Sequence, residues 1–208
     1  MNANLTTRLN QILPKITSKD FLKGKGLGNE IAFHIFDYLP EEELKIREHI
    51  QFIKKSIKKK HSGINVQYVN LFQFIIEHLK ERKMLEKSFA LELQKGSPGL
   101  LKALKAPLKA ENIVTLIRDK LHPEDYDLLL MDGVGSSWPF VRLNTLLNNL
   151  QPIMGDTPLV VFYPGRYDGQ SLRLFDKING NNYYRKLADS GIIELLRGRN
   201  FFCNMENY

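Results

Sequence analysis

The chain has 208 residues and a single cysteine, Cys203, near its end. An internal disulfide and a multi-cysteine zinc site are therefore both excluded, and Cys203 reads as a small buried hydrophobe. No apolar run approaches the roughly 20 residues needed to span a bilayer. The first fifteen residues are polar and lack the apolar centre of a secretory signal. The protein is thus expected to stay where it is made, in the cytoplasm.

The sequence also lacks any complete catalytic or nucleotide motif. Gly24-Lys-Gly-Leu-Gly28 is too short for a phosphate loop and has no Lys-Ser/Thr ending. It also runs from a helix into a strand, the reverse of what that loop requires. Gly133 and Gly135 have no third glycine at dinucleotide-binding spacing, and Ser136 and Ser137 do not sit in a Gly-x-Ser-x-Gly elbow. His34, His49, His61, His78 and His122 show no metal-ligand spacing with a carboxylate or cysteine. His34 alternates within an apolar run and reads as a satisfied core residue. No cofactor and no metal is expected, nor is enzymatic activity.

Lys and Arg outnumber Asp and Glu by 30 to 23, a net charge of +7. Nucleic acid or an acidic partner is conceivable at that charge. Much of the excess lies in Lys54-Lys-Ser-Ile-Lys-Lys-Lys60. The tract falls at a helix C-terminus, where the macrodipole favours cations, and lacks interleaved aromatics for base stacking. It reads first as a solvated helix end.

The apolar residues outline an alternating architecture. Leu5, Leu9, Ile12, Leu13 and Ile16 predict a helix over 4–22, with Pro14 as a possible kink or split. A first strand is expected at 31–36. Pro40 followed by three glutamates starts a helix running to about residue 60, with Ile46, Ile50, Ile53 and Ile57 facing a sheet. Residues 64–69 alternate and predict a second strand. Asn70 is placed to cap a helix whose face is Phe72, Ile75, Ile76 and Leu79. The stretch 82–125 reads as helical, broken at Gly96-Ser-Pro98 and near Pro107, with Ile113, Val114, Ile117 and Leu121 on one face.

Residues 127–132 form a continuous apolar run, as in a strand buried on both faces. A tight turn over 133–137 and a helix carrying Leu143, Leu146, Leu147 and Leu150 inward follow. A fourth strand, 158–163, ends abruptly at Pro164-Gly165. The tail from about 171 is expected to hold a short helix and one or two further strands, such as 192–196. Alternating strands and helices imply right-handed crossovers. The expected fold is one three-layer α/β domain over 1–208 with a mainly parallel sheet, residues 1–25 forming an N-terminal helical extension.

The unusual residues fall after the strands: Asp37, Asn70, Asp132 to Ser137, and Pro164-Gly165-Arg166. In an open parallel sheet these are carboxyl ends, where such sheets bind ligands. The turn Asp132, Gly133, Gly135, Ser136 has two readings. Its glycines admit close backbone approach and the following helix offers N–H groups to an anion. Alternatively they only make a tight turn, with Ser136 or Ser137 as cap. Arg142 and Arg166 either add charge to such a site or pair with carboxylates such as Asp37 or Asp168. Trp138, Tyr163, Gly165, Arg166 and Tyr167 are candidate partner-binding residues, because Trp, Tyr and Arg dominate interface energies. Trp138 could instead pack in the core. Two carboxylates, Asp37 and Asp132, at adjacent strand ends would suit Mg²⁺ in a hydrolase, the weakest of the readings.

Three segments carry a resemblance. Phe21-Leu-Lys-Gly-Lys-Gly-Leu-Gly-Asn-Glu30, Ile35-Phe-Asp-Tyr-Leu-Pro40 and Arg47 resemble the opening of the BrxB family. Gly133-Val-Gly-Ser-Ser-Trp-Pro-Phe-Val-Arg142 with Leu146-Leu-Asn-Asn-Leu-Gln151 resembles its central motif. Pro158-Leu-Val-Val-Phe-Tyr-Pro-Gly-Arg-Tyr-Asp168, Leu172 to Phe175 and Tyr183-Tyr-Arg185 resemble its C-terminal motif. They come in the family's order and cover roughly half the chain, while 70–125 carries no motif of the family. Arg185 is followed by Lys-Leu-Ala rather than a short aromatic or apolar ending. BrxB proteins are components of BREX, a bacterial system that blocks phage replication and marks host DNA by methylation. The resemblance implies a P-loop-like α/β fold without a Walker A motif and an adaptor role without catalysis. It also implies other BREX proteins as partners, the phosphatase-like PglZ first. A nucleotide- or nucleic-acid-binding module built on the carboxyl-end loops is the alternative.

Overall fold

The computed structural model describes residues 5–23, 32–167, 171–179, 184–186 and 192–195. The Gly24–Gly28 turn, Ile31, Asp168, Tyr183, Leu196 and Cys203 lie outside the described residues, as does the side chain of Tyr167.

Two helices open the chain, α1 (Leu5–Ile16) and α2 (Lys19–Leu22). Pro14 lies inside α1 and does not split it; the break comes at Thr17 and Ser18, where the Ser18 hydroxyl accepts from the Phe21 N–H and caps α2. Strand β1 (Phe33–Tyr38) follows, ending two residues beyond the expected 36. A 3-10 turn, Pro40–Glu42, leads into α3 (Glu43–Lys60), which buries Ile46, Ile50, Ile53 and Ile57 as their spacing dictates. Each such isoleucine contributes roughly 1.5–3 kcal/mol relative to exposure.

Strand β2 (Val66–Asn70) runs into α4 (Leu71–Glu81), and Asn70 Oδ1 accepts from the Gln73 N–H as a cap. The buried face of α4 is Leu71, Ile75 and Leu79; Phe72 and Ile76 are only half-buried, so the face is rotated from the expected one. Helices α5 (Leu85–Leu104) and α6 (Ala110–Leu121) follow, with α5 kinked at Gly96, whose φ is +66°. Strand β3 (Leu128–Asp132) is buried throughout. Residues 133–137 are not just a turn: Val134–Ser137 forms one helical turn, α7, and α8 (Leu143–Met154) comes after it.

Strand β4 (Leu159–Tyr167) does not stop at Pro164. It pairs in parallel with β1 up to Tyr38 opposite Pro164, then takes an antiparallel partner, β5 (Leu172–Leu174), over Gly165 to Tyr167. Proline lacks a donor but keeps an acceptor. Here the Pro164 carbonyl accepts from the Phe175 N–H at 2.8 Å. Beyond residue 171 the described residues form four short strands, β5, β6 (Ile178–Asn179), β7 (Tyr184–Lys186) and β8 (Ile192–Leu195), and hold no helix.

The sheet order is β2-β3-β4-β1-β8-β7. The four strands from β2 to β1 are mutually parallel; β8 and β7 extend the sheet antiparallel beyond β1. Alternate strand residues enter two cores. Leu129, Met131, Leu159 and Val161 pack with α4, α6 and α8 on one face. Leu128, Leu130, Val160 and Phe162 pack with α1 and α3 on the other. The protein is therefore a three-layer α/β fold with helices on both faces. Among the described residues no helix is long and apolar enough to cross a membrane.

Candidate functional site

The loop after β1 leads to α3 on one face of the sheet, and the loop after β3 leads to α8 on the other. Loops that diverge in this way open a crevice at the carboxyl edge. It forms here as a cleft of about 230 Å³ above β4. Tyr38, Pro40, Glu43 and Arg47 line one side, Gly133, Gly135 and Ser136 the other, with Pro164 and Phe175 between.

A polar network sits at this edge. Tyr38 Oη donates to Glu43 Oε2 at 2.5 Å, and Arg47 Nε donates to Glu43 Oε1 at 2.8 Å. Both oxygens of Glu43 are thus engaged. On the neighbouring strands Tyr68 Oη donates to Asp132 Oδ2 at 2.8 Å. Asp132 is buried, 4% exposed, and its Oδ1 has no hydrogen-bond partner. Burial raises the Asp132 pKa, opposed by hydrogen bonds from Tyr68 and Asn70. Burial is also the main cause that raises the pKa of Tyr38 and of Tyr68, with hydrogen bonds to Glu43 and Asp132 adding to it. Both phenols therefore stay protonated donors. Lys54 Nζ, from the basic tract, lies 4.0 Å from the centroid of the Tyr68 ring.

The glycines are explained by protein packing. Gly133 has φ +73°, and a Cβ there would meet the Asn70 carboxamide at 2.6 Å. At Gly135 it would meet Pro164 at 2.7 Å, and at Gly165 the Arg173 carbonyl oxygen at 2.1 Å. Neither serine caps α8: Ser136 is exposed, and Ser137 Oγ donates back to the Gly133 carbonyl at 2.8 Å. The residue before α8 is Arg142, which makes no side-chain cap.

The remaining candidates scatter. Asp37 is not at the cleft: Arg8 Nη2 donates to its carbonyl at 2.7 Å and its carboxylate at 2.5 Å. That contact ties it to α1 rather than to Asp132, and no group of three metal-ligating side chains forms among the described residues. Tyr163 and Gly165 are buried; Arg166 is exposed, with Asp176 rather than Asp37 at 3.8 Å. Trp138 is 37% exposed, so it is not a core residue. It follows α7 and precedes Pro139 through a cis peptide. Arg142 is exposed on a separate groove.

Sequence reading misses Tyr38, Glu43, Tyr68 and Phe175, and gives Arg47 no role. The usable signal is Glu43 and Arg47 at i,i+4 directly after a strand. Taken alone, that glutamate marks only a helix start. Tyr68 and Asp132 are 64 positions apart, and no spacing rule connects them.

Comparison with known proteins places the chain. The family model described as BREX protein BrxB matches residues 67–188. That span runs through 70–125, where no motif is legible. A BREX protein BrxB from Bacillus cereus is 40% identical over 185 residues, 87% of this chain and 95% of that protein. One from Escherichia coli is 39% identical over 181 residues, 87% of this chain and 89% of that protein. No solved structure matches significantly. By the family match and by both relatives, the chain belongs to the BrxB family of BREX proteins.

Proposed function

We propose that the protein is a non-catalytic adaptor subunit of a BREX anti-phage defence system in the bacterial cytoplasm, and that a PglZ-type protein is its direct partner. The observation that carries this reading is Trp138, displayed 37% exposed at the carboxyl edge of an otherwise well-buried sheet. Exposed tryptophan and arginine are the residue types that anchor interfaces, and Trp138, Arg142 and Arg166 are all exposed. Two of the carboxylates fit the same reading: Glu43 is engaged at both oxygens by Tyr38 and Arg47, and Asp37 is ion-paired with Arg8, so neither is poised as a base, while buried Asp132 keeps an unpartnered Oδ1.

A second reading follows from the cleft itself. It sits where the loops to the two helical layers diverge, the usual ligand position in such sheets, and Arg47 and Ser136 line it. A nucleotide or nucleic acid would then be the ligand.

Co-expression with the PglZ-type protein separates the two. Co-elution of the wild type on size exclusion, lost in folded Trp138→Ala or Arg166→Ala, establishes the adaptor. A well-folded wild type that elutes alone from every BREX component overturns it. Salt-dependent binding of DNA, or of a nucleotide, to that lone protein would favour the cleft.

A further inference from the structure

Several long stretches of the chain have no acidic residue, and two of them line one groove. Between Glu92 and Glu111 there are four lysines and no carboxylate; between Asp132 and Asp156 the one charged residue is Arg142. The fold brings these stretches together. The end of α5 and start of α6 meet the loop from Pro139 to Thr145 across a groove of about 360 Å³.

The groove has an apolar floor and a cationic rim. Leu108 and Val141, 2% and 4% exposed, lie at its base, with Phe140 half-buried beside them. Lys105, Lys109 and Arg142 are exposed around it, and none of the three has an ion-pair partner among the described residues. Three cations line one apolar slot with no ion pair to any of them, and they repel one another until an anion arrives; Glu111, in the first turn of α6, is the nearest carboxylate in sequence and pairs with none of the three. Helix α6 starts on the same rim; its capping residue Lys109 supplies no side-chain acceptor, and Glu111 in its first turn partly offsets the positive helix end.

We propose that this groove docks an acidic segment of a partner protein, in which Asp or Glu residues flank an apolar side chain. The carboxylates meet Lys105, Lys109 and Arg142 while the apolar side chain covers Leu108 and Val141. Charge at the rim sets association rate and selectivity, and the apolar slot supplies the anchoring burial. A nucleic-acid backbone would satisfy the cations but leave the apolar floor uncovered. The proposal rests on the adaptor reading and names the surface and the chemistry of its contact.

The test uses the full chain co-expressed with the PglZ-type protein and purified with nuclease. Three forms are compared: wild type, the charge reversal K105E/K109E/R142E, and T145W, which fills the groove and leaves its charge unchanged. A photo-crosslinking residue at position 145 reports the segment in contact. The expected result is a wild-type complex weakened by at least about 30-fold in both variants, with the crosslink on an acidic, apolar-centred segment. A complex that both folded variants retain overturns the groove and leaves the adaptor reading standing. A crosslink to a neutral or basic segment overturns it equally. Binding that disappears with nuclease, and returns with added DNA, assigns the cations to nucleic acid instead. No wild-type complex at all removes the adaptor reading and this proposal with it.

Discussion

Arg8 holds Asp37 twice, its Nη2 reaching both the backbone carbonyl and the carboxylate. The guanidinium also stacks 4.5 Å from the centroid of the Phe36 ring. The contact fastens α1 to the end of β1, and both side chains are mostly buried. Arg8→Ala would leave a buried carboxylate without its cation and should destabilise by about 2–3 kcal/mol. Asp37→Asn keeps an acceptor and should lose less. Urea denaturation of the three proteins checks the order; equal stability of all three would mean that α1 is not fastened through this pair.

Gly165 offers a second test, because its constraint comes from backbone. A Cβ there would lie 2.1 Å from the Arg173 carbonyl oxygen in the facing strand, with no flexible side chain able to yield. Gly165→Ala should therefore cost at least about 1–3 kcal/mol by prising β5 from β4. At Gly63 an added methyl would meet nothing within 4 Å, so Gly63→Ala should stay within about 0.5 kcal/mol of wild type. Thermal unfolding of both variants checks the contrast.

The elements that are legible in the sequence are those whose signal is local. Ile46, Ile50, Ile53 and Ile57 mark α3 by spacing alone, Asn70 marks the α4 start, and the apolar run 128–132 marks β3. Pro164-Gly165 misleads for an equally physical reason. Proline ends a strand only if its missing N–H was needed, and here the sheet asks Pro164 for a carbonyl alone. Phe72 and Ile76 are apolar yet lie off the buried line, because the tertiary contact of α4 runs through Leu71, Ile75 and Leu79. At the carboxyl edge, Gly133, Gly135 and Ser136 stand out by motif. Tyr38 and Glu43 across the cleft do not, since Glu43 alone reads as a helix start, and the Tyr68–Asp132 bond between β2 and β3 exists only once the sheet register is known.

His34 predicts a pH dependence. It is 6% exposed, packs 4.4 Å from the Phe21 ring, and its Nδ1 has no hydrogen-bond partner, so it is buried but not satisfied. Burial, helped by Lys15, lowers its pKa from 6.5 to about 4. Above 6.5 the ring is neutral folded and unfolded, and contributes no slope. From 6.5 down to about 4 the unfolded chain takes up a proton that the folded protein refuses, so stability falls as pH falls, by up to about 1.4 kcal/mol per unit. His34→Leu should remove that part of the slope. Urea midpoints of both proteins at about pH 7.5 and about pH 5 test it; parallel losses in the two would assign the acid sensitivity elsewhere.

Trp138 separates binding from folding. A tryptophan packed in a core costs about 3–5 kcal/mol of stability when truncated to alanine. Trp138 is 37% exposed and absent from both buried clusters, so Trp138→Ala should cost about 1 kcal/mol or less of folding. If it anchors a partner, the same truncation should remove about 2 kcal/mol or more of binding, roughly 30-fold in affinity. Measuring both on one preparation is decisive because the effects have opposite signatures. A stable variant that no longer co-elutes places the tryptophan in an interface. A variant that loses several kcal/mol of folding and binds in proportion to its folded fraction would make it a packing residue, and would move the anchor role to Arg166 and the Lys105–Arg142 groove.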